Sequence, residues 1–141
     1  MTRFRRILVA IDGSEPAQNA LDAALDLAQD LGGEIEALAV EGPLPRYAAT
    51  VGEVDEALHE RDAFFAGVLS HAKALAVARG LALVTTSHPG HPAEEIVRYA
   101  EASGADLIVI GHRGHFLHGF PLGSTASRVT RHAHCPVLVV R

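Results

Sequence analysis

The sequence predicts an α/β domain built on a doubly wound, five-stranded parallel sheet of order 3-2-1-4-5, with helices on both faces. Short apolar runs alternate along the chain with segments in which apolar residues recur at helical spacing. The first run is apolar at successive positions, which is typical of a strand buried on both faces. Parallel strands are joined by right-handed crossovers. A chain that winds through strands one to three and then crosses back therefore places strand four beside strand one.

The first strand and the first helix have clear start and stop signals. Residues 6–11 form the apolar run of strand one, which ends at the turn Asp12-Gly13-Ser14. Alanine and leucine then recur at helical spacing from Ala17 to Leu31, which predicts a helix with Pro16 in its first turn. Gly32-Gly33 ends this helix.

The middle of the chain is predicted to hold two strands on either side of one long helix. Residues 34–40 form strand two, and residues 81–85 form strand three. Between them we expect a helix from about Glu53 to Arg79, stopped by Gly80. Its inner face is predicted to consist of Val54, Leu58, Phe65, Val68, Leu69, Ala72, Leu75 and Ala76.

The last part of the chain is predicted to complete the sheet. A third helix begins at Pro92 and closes near Gly104, and strand four covers residues 107–110. A fourth helix is expected over residues 123–132, before strand five at residues 137–140. Strand five is a short, wholly apolar edge. Such an edge tends to pair with a partner strand, which predicts a homodimer formed through strand five.

Composition and charge indicate a single globular domain spanning residues 1–141, with 48% hydrophobic residues. The net charge of −5 argues against a nucleic-acid binder. No apolar run approaches the ~20 residues of a membrane helix, so no membrane partner is expected. The single cysteine, Cys135, fits a reducing compartment. We therefore expect a cytoplasmic protein whose thiol is packed rather than reactive.

The stretch from Gly111 to Thr125 is the first candidate for a functional site. It connects strand four to a helix N-terminus, where unpartnered amides favour an anion such as phosphate. The strand order brings this loop beside Asp12, at the crevice where such sheets bind ligands. We therefore expect a nucleotide, with its phosphates on the loop and its other end at Asp12. The alternative interpretation is that the glycines only turn the chain and that Asp12 only caps a turn.

Several short motifs together resemble the universal stress protein family across nearly the whole chain. They are Asp12 after strand one, Gly90-x-Pro92, Gly111-x2-Gly114 followed by Gly123-Ser124-Thr125, and the closing Cys135-Pro-Val-Leu-Val-Val. The resemblance implies an α/β fold that binds adenine nucleotides and is usually a homodimer. The nucleotide-binding branch of the family carries Gly-x2-Gly-x9-Gly-[Ser/Thr], and another branch lacks ATP binding.

The resemblance also implies roles for individual residues. Asp12 would contact the ribose or the adenine, and the backbone of Val40 would contact the adenine edge. Gly111 and Gly114 would let the loop wrap the phosphates. A helix N-terminus would complete the phosphate site with amides and hydroxyls from Gly123, Ser124 and Thr125. The implied ligand is ATP, with Mg2+ or Mn2+ bridging its phosphates.

The spacing of the loop departs from the family pattern, because eight residues separate Gly114 from Gly123 where the pattern has nine. This departure leaves three functions open: a stress-response protein that senses ATP, a nucleotide-free dimeric module for protein interaction, and a slow ATPase. The chain has no P-loop, and its only lysine, Lys73, lies in the long helix. Efficient hydrolysis is therefore not expected.

The loop also carries imidazole and guanidinium side chains. His112 and Arg113 are candidate phosphate contacts. His112, His115 and His118 recur at a spacing of three, which gathers side chains only on a helix, whereas glycine and proline interrupt this segment. We therefore expect solvated histidines, with a transition-metal site as the lesser alternative.

Overall fold

The computed structural model of the protein describes residues 4–42, 50–113 and 122–141. In these ranges strands and helices alternate: β1 (Arg6–Ala10), α1 (Glu15–Leu31), β2 (Glu34–Glu41), α2 (Val51–Ala78), β3 (Leu83–Pro89), α3 (Pro92–Ser103), β4 (Leu107–Gly111), α4 (Ser124–His132) and β5 (Val137–Val140). All five strands are parallel, in the order β3-β2-β1-β4-β5. The predicted fold class and strand order are confirmed.

Each face of the sheet packs on its own hydrophobic core. Ile7 and Val9 belong to the core formed with α1 and α2, whereas Leu8 belongs to the core formed with α3 and α4. All three side chains are at most 2% exposed. β1 is therefore buried on both faces, as its uninterrupted apolar run predicts.

Helix α1 begins at Glu15, and Pro16 lies in its first turn as predicted, because Ser14 caps the helix. The Ser14 hydroxyl oxygen accepts a hydrogen bond from the N–H of Ala17 at 3.3 Å, and Pro16 lies in the first turn, where a missing N–H costs nothing. At the other end Gly32 adopts a left-handed φ of +68°, and its N–H bonds the carbonyl of Ala28. The predicted glycine stop is thus confirmed.

Strand β3 starts later and runs farther than predicted, over Leu83–Pro89 instead of residues 81–85. The N–H of Leu81 bonds the carbonyl of Ala76, so Leu81 belongs to the turn that closes the C-terminal end of α2 and not to the strand. The added residues pair with β2, where Val40 lies opposite His88. Because β3 is an edge strand with half-exposed faces, these added residues are polar and gave no apolar signal.

Helix α2 packs on the sheet mainly through its C-terminal part. Ala72 and Ala76 are fully buried, whereas Val54 is 38% exposed. The 28 residues of α2 make a helix of about 42 Å, while the eight residues of β2 span about 26 Å. The helix therefore extends past the sheet, and the prediction that Val54 lies on its inner face is wrong.

The thiol of Cys135 is packed, as predicted. It is half-buried against the core formed with α3 and α4. Burial raises the pKa of Cys135, and the negative charge of Asp106 raises it further. Both causes disfavour the reactive thiolate. No helix in the described part of the chain is both long enough and apolar enough to cross a bilayer.

Candidate functional site

A crevice of about 610 Å³ opens where β1 and β4 end side by side. The chain leaves β1 toward α1 on one face of the sheet and leaves β4 toward α4 on the other, which is where doubly wound folds hold their ligands. Seven of the eight site residues predicted from the sequence line this crevice: Asp12, Val40, Gly111, Arg113, Gly123, Ser124 and Thr125. The eighth, Gly114, lies outside the described residues.

One wall of the crevice is apolar. Leu38 and Val40 come from β2, Ile110 comes from β4, and Ile96 comes from α3. All four side chains are buried, so they offer a fixed surface to a flat apolar group. The sequence did not identify Ile96 as a site residue. Its position one turn after Pro92, itself in a recognised motif, was the signal that could have placed it at the site.

The peptide groups of Val40 face the open end of β1. In a parallel strand the N–H and C=O of one residue point toward the same neighbour, and successive residues alternate sides. The carbonyl of Leu38 accepts from Ile11 on the β1 side, whereas the carbonyl of Glu41 accepts an amide on the β3 side. Val40 shares the side of Leu38, but β1 ends at Ala10. The Val40 N–H and C=O therefore project into the crevice beyond the end of β1.

The Asp12 carboxylate lines the crevice and also stabilises the turn that presents it. Its Oδ1 atom accepts a hydrogen bond from the N–H of Ser14 at 2.9 Å, which is a short Asx turn. The sequence left two interpretations of Asp12 open, contact with a ligand and capping of a turn. The structure shows that Ser14 caps the helix and Asp12 holds the turn, so the carboxylate is fixed in place before any ligand arrives.

Gly111 lines the crevice, and its surroundings give a geometric reason for a glycine there. Its φ is not among the left-handed values found in the described glycines. A Cβ atom at this position would lie 2.7 Å from the carbonyl carbon of Pro16 and 2.8 Å from its oxygen. Gly111 is therefore required for the close approach of β4 to the first turn of α1.

The N-terminus of α4 lines one end of the crevice. Gly123 is its N-cap residue, and no side chain caps this helix. The Gly123 N–H donates to the carbonyl of His112 at 2.6 Å, which ties the helix start to the end of β4. The next amides, from Ser124 to Ala126, belong to residues that line the crevice. Uncapped amides and the positive end of the helix dipole together favour an anion.

Arg113 is the one cationic side chain among the described residues that line the crevice. Its Nε–H donates to Nε2 of His112 at 3.0 Å. The predicted histidine series is only partly visible, because His115 and His118 lie outside the described residues. Within the described ranges, no three His, Cys, Asp or Glu side chains are grouped to hold a metal ion.

An ion pair fixes the rim of the crevice at the end of β2. The Arg61 side chain reaches back from α2, and its Nε lies 3.4 Å from Glu41 Oε1 while its Nη1 donates to the Gly42 carbonyl at 2.9 Å. The Ser87 hydroxyl donates to Glu41 Oε2 at 2.7 Å. The Arg61 and Glu41 side chains are only 21% and 13% exposed. Since Gly42 lines the crevice, this pair holds part of its wall.

Charge is strongly separated along the chain. All 17 acidic residues lie at or before Asp106, whereas four arginines follow it: Arg113, Arg128, Arg131 and Arg141. Three of these arginines, in α4 and at the chain end, are exposed and form no ion pair within the described residues. The segment from β4 to the end of the sequence therefore carries only positive side-chain charge. This distribution was not among the predicted features, although the sequence alone contains it.

Tyr99 also has a displaced pKa, but it lies on α3 outside the crevice. Burial raises the pKa of the Tyr99 phenol, and the hydrogen bond that it donates to the Glu36 carboxylate raises it further. The ring of His88 packs edge-on against it, with centroids 5.4 Å apart. None of these three residues lines the crevice, so the cluster stabilises the β2–β3 side of the sheet.

Comparison with known proteins finds three close matches in sequence or structure. A universal stress protein of Thermus aquaticus is 39% identical over 142 residues, covering 98% of this chain and 99% of that protein. Universal stress protein YxiE of Bacillus subtilis is 37% identical over 147 residues, covering 98% and 99%. The structure of universal stress protein UspA from Lactobacillus plantarum superposes with a TM-score of 0.85 at 32% identity, covering 100% of both chains.

Three further solved structures share the fold at lower identity and contain adenine nucleotides. A universal stress protein in complex with cAMP matches with a TM-score of 0.76 at 24% identity, covering 99% of this chain and 98% of that one. A protein from Archaeoglobus fulgidus in complex with dAMP matches at 0.66 and 23%, covering 100% of both chains. A protein from Arabidopsis thaliana with AMP bound matches at 0.72 and 17%, covering 96% and 90%.

The family model described as "Universal stress protein family" matches residues 3–141, almost the whole sequence. This match agrees with the sequence relatives and with the shared sheet order. The chain therefore belongs to the universal stress protein family.

Proposed function

We propose that the crevice binds an adenine nucleotide, with the base near Val40, the ribose near Asp12 and the phosphates at the N-terminus of α4. The proposal rests on the observation that residues as distant in sequence as Asp12 and Thr125 line the same crevice. Solved structures of the same fold hold cAMP, dAMP and AMP. Because their identities are low, they support the shared fold, and the argument for a ligand in this chain comes from its own residues.

The base side of the crevice offers both apolar and polar contacts. Buried Leu38 and Ile96 supply apolar surface for a flat ring. The Val40 N–H and C=O supply one donor and one acceptor at the open end of β1. An adenine edge presents the matching acceptor and donor. The Asp12 carboxylate is an acceptor of the kind that ribose hydroxyls need.

The phosphate side matches the charge of the ligand. It combines the uncapped amides of α4, the hydroxyls of Ser124 and Thr125, and the guanidinium of Arg113. The finer proposal is ATP with Mg2+ or Mn2+. The Ser124 and Thr125 hydroxyl oxygens fit a hard divalent cation, which would supply charge neutralisation between the phosphates. We propose a nucleotide-sensing role in the cytoplasm rather than rapid turnover.

The proposal predicts that the purified protein either already carries an adenine nucleotide or binds one that is added. Heating the purified protein to release its contents should yield an adenine nucleotide, and adding AMP or ATP should raise the thermal midpoint. The shorter glycine spacing favours a second function, a nucleotide-free module for protein interaction. Absence of released nucleotide together with an unchanged midpoint would reject the first function and support the second.

Substitution of Asp12 tests the ribose contact. Asp12→Asn keeps an acceptor for the Ser14 amide but removes the charge, so we expect adenosine affinity to fall about tenfold while the thermal midpoint stays unchanged. Isothermal titration calorimetry measures the affinity. Glu15→Gln is the matched control, since Glu15 is an exposed acid close to Asp12 that does not line the crevice. Equal affinities for the two variants would contradict the assigned contact.

We also propose that the protein forms a homodimer through β5, which lies at one edge of the sheet. Leu138 is 39% exposed there, whereas Val139 packs inward on the core. Leu138→Lys should therefore convert dimer to monomer in sedimentation experiments without disturbing the core. Val84→Lys is the matched control, because Val84 is 59% exposed on the opposite edge strand. A Leu138→Lys protein that keeps the dimer mass would rule out this interface.

A further inference from the structure

Two backbone hydrogen bonds fix the position of His112, whose side chain accepts a hydrogen bond from Arg113. The His112 N–H donates to the carbonyl of Val140 at 2.8 Å, and the His112 carbonyl accepts from Gly123 at 2.6 Å. These two bonds connect the residue after β4 to the end of β5 and to the start of α4. The backbone of His112 is therefore fixed from both sides, and its side chain can serve as a firm support.

The hydrogen bond between the two side chains determines the tautomer of His112. Because Nε2 accepts from Arg113 Nε–H at 3.0 Å, it carries no proton, and in a neutral ring the proton lies on Nδ1. Nδ1 is buried and has no hydrogen-bond partner in the described part of the chain. Burial of this orphaned donor is unfavourable by itself. In the described part of the chain, the bond from Arg113 is the single hydrogen bond made by the side-chain nitrogens of His112.

The same bond determines how Arg113 is presented. Guanidinium has five N–H donors, and the one on Nε is directed to His112. The other four lie on the two terminal nitrogens, which form the fork that recognises phosphate oxygens. An arginine side chain loses much conformational entropy when it is ordered. A guanidinium oriented before the ligand arrives loses less of it on binding.

We propose that His112 is a positioning residue for Arg113, and that the pair makes the crevice prefer phosphorylated adenine ligands over adenosine. The inference rests on the proposed binding of an adenine nucleotide. It assigns to His112 a role that acts through Arg113 and needs no direct contact with the ligand. His112 itself does not line the crevice.

The first test is independent of any ligand. Nitrogen-15 NMR of the imidazole reports which ring nitrogen is protonated, and His112 in the free protein should be the Nδ1–H tautomer. Arg113→Ala should shift the ring toward the Nε2–H tautomer, because it removes the donor to Nε2. An Nε2–H tautomer in the unsubstituted protein would overturn the proposal.

The second test is a double-mutant cycle on the affinities for AMP and adenosine. Arg113→Ala should weaken AMP binding about tenfold or more, and His112→Ala about fivefold, with adenosine binding unchanged in both. The double variant should bind AMP no more weakly than Arg113→Ala alone. His112→Gln should restore AMP binding, since its amide oxygen can accept from Arg113. Thermal denaturation of each variant shows whether it is folded.

The outcomes separate the two proposals. If the unsubstituted protein binds AMP and His112→Ala binds it equally well, or if the two substitutions are additive, the positioning role is wrong and nucleotide binding stands. Equal loss of AMP and adenosine affinity in His112→Ala indicates a general structural effect and likewise overturns it. If the unsubstituted protein binds neither ligand, the proposed function fails and this inference fails with it.

Discussion

Replacing Gly111 with alanine is expected to lower the free energy of unfolding by about 3 kcal/mol, because the new methyl group would overlap a rigid neighbour. The added Cβ would lie 2.7 Å from the carbonyl carbon of Pro16, and its nearest neighbours are the backbone and the Cβ of that proline, not the end of a flexible side chain. Relief requires β4 and α1 to separate, although both pack in the same core. Chemical denaturation measures the change.

The same substitution at Gly67 is the matched control. Gly67 lies inside α2, and an added Cβ would meet nothing within 4 Å. Alanine there should raise the free energy of unfolding by about 0.5–1 kcal/mol, because alanine loses less backbone entropy in a helix. If Gly111→Ala instead folds with unchanged stability and loses only ligand binding, then the missing side chain serves the ligand and the Pro16 contact is unimportant.

Replacing Glu41 with glutamine is expected to destabilise the protein by about 2 kcal/mol. The substitution leaves the largely buried Arg61 guanidinium without its counter-charge, 3.4 Å away in the native protein. It keeps the size of the side chain and an acceptor for the Ser87 hydroxyl. The loss should therefore report on the ion pair rather than on packing. Urea denaturation at neutral pH measures it.

Glu34→Gln provides the control at the other end of the same strand. Glu34 pairs with Arg6 at 3.8 Å, but the two side chains are 83% and 61% exposed. Such surface pairs contribute at most about 1 kcal/mol. Adding Arg61→Met to Glu41→Gln should recover much of the lost stability, because it removes the unpaired charge. Equal losses for Glu34→Gln and Glu41→Gln would contradict the importance of burial at the crevice rim.

The sequence predicted best the elements that are buried most completely. β1 and β4 are apolar at successive positions and could be located from that pattern alone. β3 could not be located in this way, because its last residues are polar and form a strand only by pairing with β2. The length of α2 could also be predicted from the sequence. The distance by which α2 extends past the sheet could not be predicted, since it depends on where the neighbouring strands end.

The candidate site could likewise be predicted only in part. Strand order and motif spacing were sufficient to predict which residues meet at the crevice, including Asp12 and Thr125. They could not predict that Gly111 is needed for its contact with Pro16, because that contact depends on the separation of β4 and α1. The bonds from Arg113 to His112 and from Arg61 to Glu41 depend on side-chain conformation. No pattern in the sequence specifies that conformation.

The positive charge of Arg113 at the crevice has the opposite sign to the net charge of the protein, which is −5. That net charge opposes the approach of a phosphorylated ligand, whereas Arg113 and the positive end of the α4 helix dipole would attract it. This local attraction would draw the phosphate end of such a ligand toward the N-terminus of α4. At physiological ionic strength it is screened beyond about 8 Å, so it would act over the final approach to the surface.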